Sequence, residues 1–388
     1  MAQRILTTHV GSLPRPEHVV TQLFAQDSGL NYDAAEFDRV MAAQVADVVA
    51  RQAGSHVDVV SDGEMSKISY ATYIRHRLTG FELGEMPRAV PRDLDDFPDF
   101  KERLAKLGAT PKYHRPICTG PIAVKDLSGL HKDIANLQAA CVAAAAPGLP
   151  ALRAFMNSAS PGVIAVFQPN KYYASTELYL QALADAMATE YEAILAAGLD
   201  LQIDAPDLAM GRHIKFRDVD DTEFLRNANL QVEALNHALR NVPAERIRMH
   251  VCWGNYEGPH HHDIGLEKIL DVVLKAKPAT VLFEGANPRH AHEWEVWAKA
   301  GQEGRIPDNK VLAPGVLDTV NNFIEHPRLV AQRLLTYANI VGRDRVMAAT
   351  DCGFGTFAGF GAIHPPICFA KLASMAEGAA MASKELWP

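Results

Sequence analysis

The segment 196–206, AAGLDLQIDAP, contains the pattern that decides the fold. A helical pattern over residues 177–197 ends on the first two residues of this segment, and Gly198 follows them. A short apolar run then covers residues 201–203, with Asp204 directly after it. A helix, a turn, a short strand and a polar strand end in this order are typical of one repeat of an α/β protein.

The same succession recurs along the whole chain. Short runs rich in Val and Ile, each ending at Gly, Pro or a polar residue, predict nine strands at residues 5–10, 57–60, 117–122, 163–167, 201–203, 247–251, 280–283, 311–316 and 346–350. Segments with helical spacing, such as residues 222–239, lie between them. Strands that alternate with helices predict an α/β protein with a parallel sheet.

A (β/α)8 TIM-type barrel is the predicted architecture, with residues 1–388 as a single catalytic barrel domain. A barrel has eight strands, so the ninth is assigned to an insertion at residues 82–116, which are rich in Pro, Asp and charged residues. A doubly wound sheet is the alternative. The barrel is favoured because polar residues stand at predicted strand ends, which converge on one mouth in a barrel: Ser12, Glu64, Asp204, His250, Cys252, Glu284 and Cys352.

Composition excludes several classes of function. The 388 residues include 38 basic and 46 acidic side chains, with a formal charge of -8, and no basic run suggests a nucleic-acid partner. The N-terminus shows no secretory signal, and no apolar stretch is long enough to span a membrane. Five scattered cysteines argue against a disulfide framework, so we expect a cytoplasmic protein.

Three of the last four predicted strands end in metal-binding residue types. His250 and Cys252 are two apart and therefore face the same side of one strand, while Glu284 and Cys352 close two others. One nitrogen, two sulfurs and one exchangeable oxygen form a set that suits catalytic Zn2+. Each residue alone has a simpler interpretation, a small core cysteine or a hydrogen-bonded histidine. Their joint occurrence favours zinc.

The histidines of the loop after Trp253 form a second candidate cluster. His260, His261 and His262 stand in a segment bounded by Gly and Pro. We interpret this run as facing solvent or covering the site, and direct metal ligation by it is the less favoured alternative.

In these motifs the chain resembles the cobalamin-independent methionine synthase family. The similar segments occur in the family's order: HVGSLPRP at 9–16, SDGEMSK at 61–67, AAGLDLQIDAP at 196–206, MHVCW at 249–253, LFEGANPRH at 282–290, APGVLD at 313–318 and ATDCG at 349–353. The resemblance implies a TIM-type barrel that transfers a methyl group to homocysteine, in methionine biosynthesis. It assigns zinc to His250, Cys252, Glu284 and Cys352.

The resemblance also implies the substrate contacts. It assigns Ser12, Glu64 and Asp204 to the amino-acid end of homocysteine, with catalytic roles for Glu284 and Asp204. From the residues alone, Ser12 and Asp204 are also suitable helix caps, and Glu64 could complement a helix dipole. The expected mechanism binds the thiol as its zinc thiolate, which then attacks the alkyl carbon.

Two departures from the family concern the methyl donor. Val320 stands where the family has a catalytic histidine, and Trp253 is the available aromatic, with no clear counterpart of the family's pterin-stacking tryptophan. The expected partners are therefore a small thiol and an alkyl donor, either methylfolate or another small electrophile. Phe354, Phe357 and Phe360 could form the wall of a donor pocket or a packed lid. The number of subunits is open, a homo-oligomer included.

Two other enzyme classes compete with this interpretation. Single-barrel relatives include the epoxyalkane:coenzyme M transferases, which open an epoxide with a zinc-bound thiolate. Such an enzyme needs cations for the sulfonate of coenzyme M, and the candidates are Lys67, Arg75, Arg77 and Arg212. A metal-free decarboxylase of the uroporphyrinogen decarboxylase type is less favoured.

Overall fold

A closed ring of parallel strands organises the molecule, a computed structural model that describes residues 3–84, 90–106, 115–148 and 150–388. Its strands are β1 Leu6–Thr7, β2 Val59–Val60, β3 Phe81–Gly84, β4 Arg115–Cys118, β5 Arg153–Ala159, β6 Asp200–Asp204, β7 Ile247–His250, β8 Thr280–Phe283, β9 Val311–Leu317 and β10 Met347–Thr350.

Helices follow most of these strands, with short 3-10 turns between some elements. They are α1 Glu17–Ser28, α2 Ala34–Gly54, α3 Pro98–Lys106, α4 Ser128–Ala143, α5 Pro161–Phe167, α6 Thr176–Ala196, α7 Asp221–Ala238, α8 Leu266–Lys275, α9 Trp294–Gln302, α10 Pro327–Val341 and α11 Pro365–Leu386. The predicted helices at 177–197 and 222–239 are confirmed as α6 and α7. No helix in the described part of the chain is long and apolar enough to cross a bilayer.

The predicted TIM-type barrel is confirmed. Eight described strands form one sheet in the order β1-β10-β9-β8-β7-β6-β5-β2, and every recorded pairing within it is parallel. The ring closes between β1 and β2, where Asp58 N donates to Thr7 O at 3.2 Å and Thr8 Oγ1 donates to Val59 O at 3.1 Å. The carboxyl ends of all eight strands therefore meet at one mouth.

The register brings the candidate side chains to the same level of this mouth. Asp204 of β6 pairs with His250 of β7, which pairs in turn with Leu282 of β8, two residues before Glu284. A small buried cluster of Val10, Leu282, Ala313 and Ala349 lies at the same level, since Leu282 pairs with both His250 and Ala313.

The third barrel strand was predicted wrongly. Residues 163–167 are not a strand but lie in α5, which starts with Ser160 as N-cap, its Oγ accepting from Val163 N at 2.9 Å, and with Pro161 in the first turn. The true strand is β5, whose Asn157 and Ser158 interrupt its apolar run. A short apolar run does not distinguish a buried helix from a strand, and here the capping signals decide.

The predicted extra strand lies outside the barrel. Part of the predicted range 117–122 belongs to β4, which pairs antiparallel with β3 in a separate sheet of two strands. This hairpin and α3 lie between β2 and α4, where the insertion at 82–116 was predicted; residues 85–89 and 107–114 lie outside the described residues. The interpretation of the whole chain as one domain stays a prediction.

Candidate metal and substrate site

His250, Cys252 and Cys352 meet at the barrel mouth. His250 ends β7, Cys252 follows two residues later, and Cys352 lies two residues after the end of β10. All three are buried, and their ligand atoms lie within 4.8 Å of one another. The two Sγ atoms are 3.6 Å apart and form no disulfide, so the three side chains could hold one metal ion.

Neighbouring groups contact these three side chains. Nε2 of His250 donates to Asp351 O at 3.2 Å, and Nδ1 lies 3.5 Å from Oδ1 of Asp204. Burial lowers the pKa of His250, but Asp204, Cys252 and Glu284 outweigh it and raise the pKa above its ordinary value. The hydrogen bond that the Cys352 thiol donates to Cys252, together with burial, raises the pKa of Cys352 well above its usual range.

Glu284, the predicted fourth ligand, lies outside this group of three. Its Oε1 accepts from Trp253 N at 2.9 Å, and its Oε2 accepts from Asn287 Nδ2 at 2.7 Å and from Arg289 Nη2 at 2.5 Å. The carboxylate is thus satisfied beside Cys252 without a metal. Its role as a ligand stays a prediction.

A large cavity opens over His250, Cys252 and Cys352. It has a volume of about 550 Å³, and its wall is mostly apolar. Ser12, Glu64, Asp204, His250, Cys252 and Cys352 line it, whereas Glu284 does not. Phe354, Phe357 and Phe360 also line it, together with Thr319 and Val320. A cavity of this size accepts a small organic molecule beside these side chains.

Two carboxylates share the polar side of the cavity. Glu64 is buried in a left-handed backbone conformation with φ of 56°, and its Oε2 has no hydrogen-bond partner among the described residues. Burial and the nearby charge of Asp204 raise the pKa of Glu64 to about 7. Asp204 accepts from Asn157 Nδ2 at 3.0 Å. Such a pair attracts a cation.

Ser12 completes this side of the mouth. Its carbonyl accepts from Phe354 N at 2.8 Å, and a Cβ on Gly353 would lie 1.9 Å from its Oγ. Neither Ser12 nor Asp204 caps a helix, because Pro16 precedes α1 and Ala205 precedes the 3-10 turn Pro206–Leu208. The alternative interpretation of these two residues as caps is wrong.

The histidine run divides into two environments. His260 is buried, and its Nδ1 lies 2.9 Å from Oδ2 of Asp263. His261 and His262 are more exposed, and Nε2 of each lies within 2.8 Å of Oδ2 of Asp96, so these three form a second possible metal-binding group at the surface. The run is therefore not one cluster.

The four candidate cations for a sulfonate are engaged elsewhere, and none lines the cavity. Lys67 Nζ donates to Asn157 O at 2.6 Å, and Arg75 pairs with Asp27. The other two bind carboxylates on helices: Arg77 binds Asp133 and Glu190, and Arg212 binds Asp221.

Trp253, the available aromatic, is buried outside the cavity lining. Its Nε1 donates to Ile264 O at 2.6 Å, and its ring lies 4.3 Å from that of His290. It cannot stack on a ligand in this arrangement.

Asn157 is a site residue that sequence reasoning missed. It lies on β5, the strand that was not predicted, and orients Asp204 from the neighbouring strand. A polar residue inside the apolar run 154–159 was the available signal, since a barrel interior near the mouth accepts such residues.

Comparisons with known proteins agree with the geometry. No protein-family model matches the chain. It is 25% identical over 387 residues to a methionine synthase of Saccharolobus solfataricus, covering 98% of this chain and 95% of that protein. A methionine synthase of Sulfurisphaera tokodaii is 22% identical over 382 residues, covering 98% and 93%.

Solved structures show the same fold. A B12-independent methionine synthase from Shewanella sp. W3-18-1, in complex with selenomethionine, superposes with a TM-score of 0.72 at 18% identity, covering 99% of each chain. A putative vitamin-B12-independent methionine synthase from Listeria monocytogenes gives 0.66 at 16% identity, again covering 99% of each chain. The resemblance expected from the motifs is therefore confirmed along the whole chain.

Proposed function

We propose that this chain, a full-length relative of the methionine synthases, is a zinc-dependent methyltransferase that methylates the sulfur of homocysteine. The names of its relatives support methyl transfer to homocysteine. The observation that carries the proposal is the cavity, which combines a His-Cys-Cys group with two buried carboxylates.

Zinc fits the three donors. Two sulfurs bound to one tetrahedral zinc at ~2.3 Å each lie about 3.8 Å apart, and the Sγ atoms of Cys252 and Cys352 are 3.6 Å apart. One imidazole and two thiolates suit zinc better than magnesium or calcium. Thiols this close must stay reduced to bind a metal, which supports a cytoplasmic location.

Zinc, when bound, would lower the pKa of a coordinated thiol, so that the sulfur is a nucleophile at neutral pH. His250, Cys252 and Cys352 would hold it, with Glu284 as an exchangeable fourth ligand. Backbone N of Trp253 and the side chains of Asn287 and Arg289 already bind the Glu284 carboxylate, so it has a stable position when it is not a ligand.

Glu64 and Asp204 favour an amino-acid thiol. Burial, and after it the charge of Asp204, raises the pKa of Glu64 to about 7. An ammonium group next to the two carboxylates would offset the repulsion between them. The sulfonate of coenzyme M would face the same carboxylates and be repelled. The Shewanella protein holds selenomethionine, an amino acid with the same polar end as homocysteine.

The apolar side of the cavity would receive the methyl donor. Phe354, Phe357 and Phe360 line this side and would keep water away from the reacting atoms, which favours attack of a sulfur anion on carbon. Methylfolate or another small electrophile could occupy this space.

A titration of the cobalt(II)-substituted protein tests the proposal. We expect homocysteine to produce the sulfur-to-cobalt absorption, at lower concentration than coenzyme M, because only homocysteine has an ammonium group for Glu64. Coenzyme M binding more tightly would contradict the proposal and favour epoxide opening. Failure of cobalt or zinc to bind at all would favour a metal-free enzyme.

A further inference from the structure

A buried histidine on the cavity wall has no role in the arrangement above. His213 follows the 3-10 turn Met210–Arg212, is 2% exposed and lines the cavity. Its Nδ1 lies 2.9 Å from Oδ1 of Asp263, and its Nε2 has no hydrogen-bond partner among the described residues. A buried nitrogen without a partner costs stability, which a bound ligand would recover.

Asp263 fixes the orientation of this ring. Burial raises the pKa of Asp263, but hydrogen bonds with His213, His260 and His290 outweigh it and hold the pKa far below its ordinary value. The carboxylate is therefore ionised. It accepts Nδ1–H of His213, which leaves Nε2 as the ring nitrogen available to a ligand.

Other charges around Asp263 support this assignment. Burial lowers the pKa of His290, but Asp263 and Glu293 raise it to about 10, so His290 is a cation at neutral pH. Arg289 lies 3.7 Å from Oδ2 of Asp263. His260 contacts His213 edge to face, with the ring centroids 6.1 Å apart.

His213 is also tied to the thiol site through the backbone. Met210 N donates to Cys252 O at 3.0 Å, and His213 N donates to Met210 O at 3.2 Å. Met210 lines the same cavity, as does Val320, whose side chain can neither donate nor accept a proton. His213 thus adds a proton-transfer group to a cavity that Met210 and Val320 line with apolar side chains.

We propose that Nε2 of His213 protonates the group that leaves when the methyl carbon is attacked. This inference rests on the proposed function and narrows its second substrate. The donor then belongs to the class whose leaving atom is basic, such as a methylated amine nitrogen, and not to the sulfonium class, whose leaving group departs neutral and needs no proton.

The proton balance closes without another reagent. The thiol loses its proton on binding, and His213 takes up a proton at Nε2. The sulfur then forms a bond to the methyl carbon as the carbon–nitrogen bond breaks, with its electron pair going to nitrogen, and Nε2–H of His213 passes to that nitrogen. The sum is thiol plus methylated amine giving thioether plus amine.

His213→Asn and His213→Gln test the proposal with two donors. Methyltetrahydropteroyltriglutamate needs protonation of its leaving nitrogen, whereas methyl iodide releases iodide and needs none. General acid catalysis contributes about 10²–10⁴-fold. We expect the ratio of the rate with the folate to the rate with methyl iodide to fall by about 10² or more in both variants. His237→Asn changes a half-exposed histidine that pairs with Asp185, and it should keep the ratio.

Two other measurements separate this proposal from the proposed function. Homocysteine should still produce the sulfur-to-cobalt absorption in both His213 variants. Absence of this absorption in the unaltered protein would instead overturn the proposed function. Equal loss of rate with both donors, no loss with either, or an unaltered protein that methylates homocysteine only from methyl iodide, would each overturn the role of His213. Asn and Gln both remove the imidazole ring but differ in length. If one variant fails to fold, the other still provides the test.

Discussion

Asp351 leaves no room for a side chain at Gly315: a Cβ there would lie 2.0 Å from its Oδ1. Its carboxylate accepts the backbone N–H groups of Gly285, Ala286 and Asn287, each at 2.8 Å. Asp351 therefore fixes the loop that follows Glu284, although it precedes Cys352 in sequence. Burial and the charge of Glu284 raise its pKa to about 6. The segments that follow β8 and β10 are thus held together by one carboxylate.

Gly315→Ala should disturb this arrangement. The new methyl group would also lie 2.6 Å from Asp351 Cα, so the backbone must shift. We expect a loss of about 2 kcal/mol or more in the free energy of unfolding, together with weaker zinc binding. Denaturant unfolding and metal analysis measure the two effects. Gly129→Ala, where nothing lies within 4 Å of the new Cβ, is the matched control, and an equal loss there would contradict the explanation.

The barrel was predictable because its strand ends carry polar residues in a regular order. Asp204 and His250 are distant in sequence, yet parallel register makes them neighbours. The error at residues 163–167 arose because a buried helix turn and a buried strand share the same apolar composition. Only the N-cap Ser160 and Pro161 distinguished them.

The convergence of His250, Cys252 and Cys352 was predictable for the same reason, but the surrounding contacts were not. His250, Cys252 and Cys352 converge because each stands at a strand end. The contact of His213 with Asp263 joins two loops, and loop geometry follows from packing that no local pattern records. The resting position of Glu284 likewise depends on Arg289 and Asn287.

Cys252→Ser and Cys352→Ser should each lower bound zinc and abolish methylation of homocysteine. A serine hydroxyl stays protonated at neutral pH and is a poorer zinc ligand than a thiolate, so the ion loses one of three protein donors. Metal content and product formation are the measurements. Cys141→Ser changes another buried cysteine, on α4, and should retain both zinc and activity. Full activity of a zinc-free Cys352→Ser protein would falsify the assignment.

Glu64→Gln should weaken the binding of methionine, the expected product, by about 10- to 100-fold, because a charged hydrogen bond to its ammonium group becomes neutral. The pKa of Glu64 is about 7 in the free protein, so the affinity of the unaltered protein should fall as the pH drops from 8 to 6. Methionine has no group that titrates in this range. Calorimetry at several pH values should show that the variant lacks this dependence; identical curves for both proteins would contradict the role of Glu64.

Glu64 should also affect the stability of the fold. Its ionised form favours methionine binding but lowers stability. Its pKa rises from 4.5 to about 7 on folding, so the contribution of its protonated form to stability is present below pH 4.5 and is lost as the pH rises through about 7. Without ligand, Glu64→Gln should therefore raise the melting temperature more at pH 8 than at pH 5. A difference in melting temperature that is the same at both pH values would show that the Glu64 carboxyl group is not desolvated, contrary to the structure.

Val320→His tests whether the donor side can be changed without the thiol side. Val320 lines the cavity and is distant in sequence from Cys252 and Cys352. It follows Thr319, whose Oγ1 donates to Asn255 Oδ1 at 2.9 Å. A histidine there would add a second proton-transfer group facing the donor, so we expect a higher rate with methyltetrahydropteroyltriglutamate and unchanged cobalt absorption with homocysteine. Val320→Asn adds polarity without acid–base capacity and should not raise the rate. The unaltered protein could instead turn over this folate rapidly, with no further gain from Val320→His. Position 320 would then not limit use of the donor, and proton transfer from another residue of the cavity wall would be sufficient.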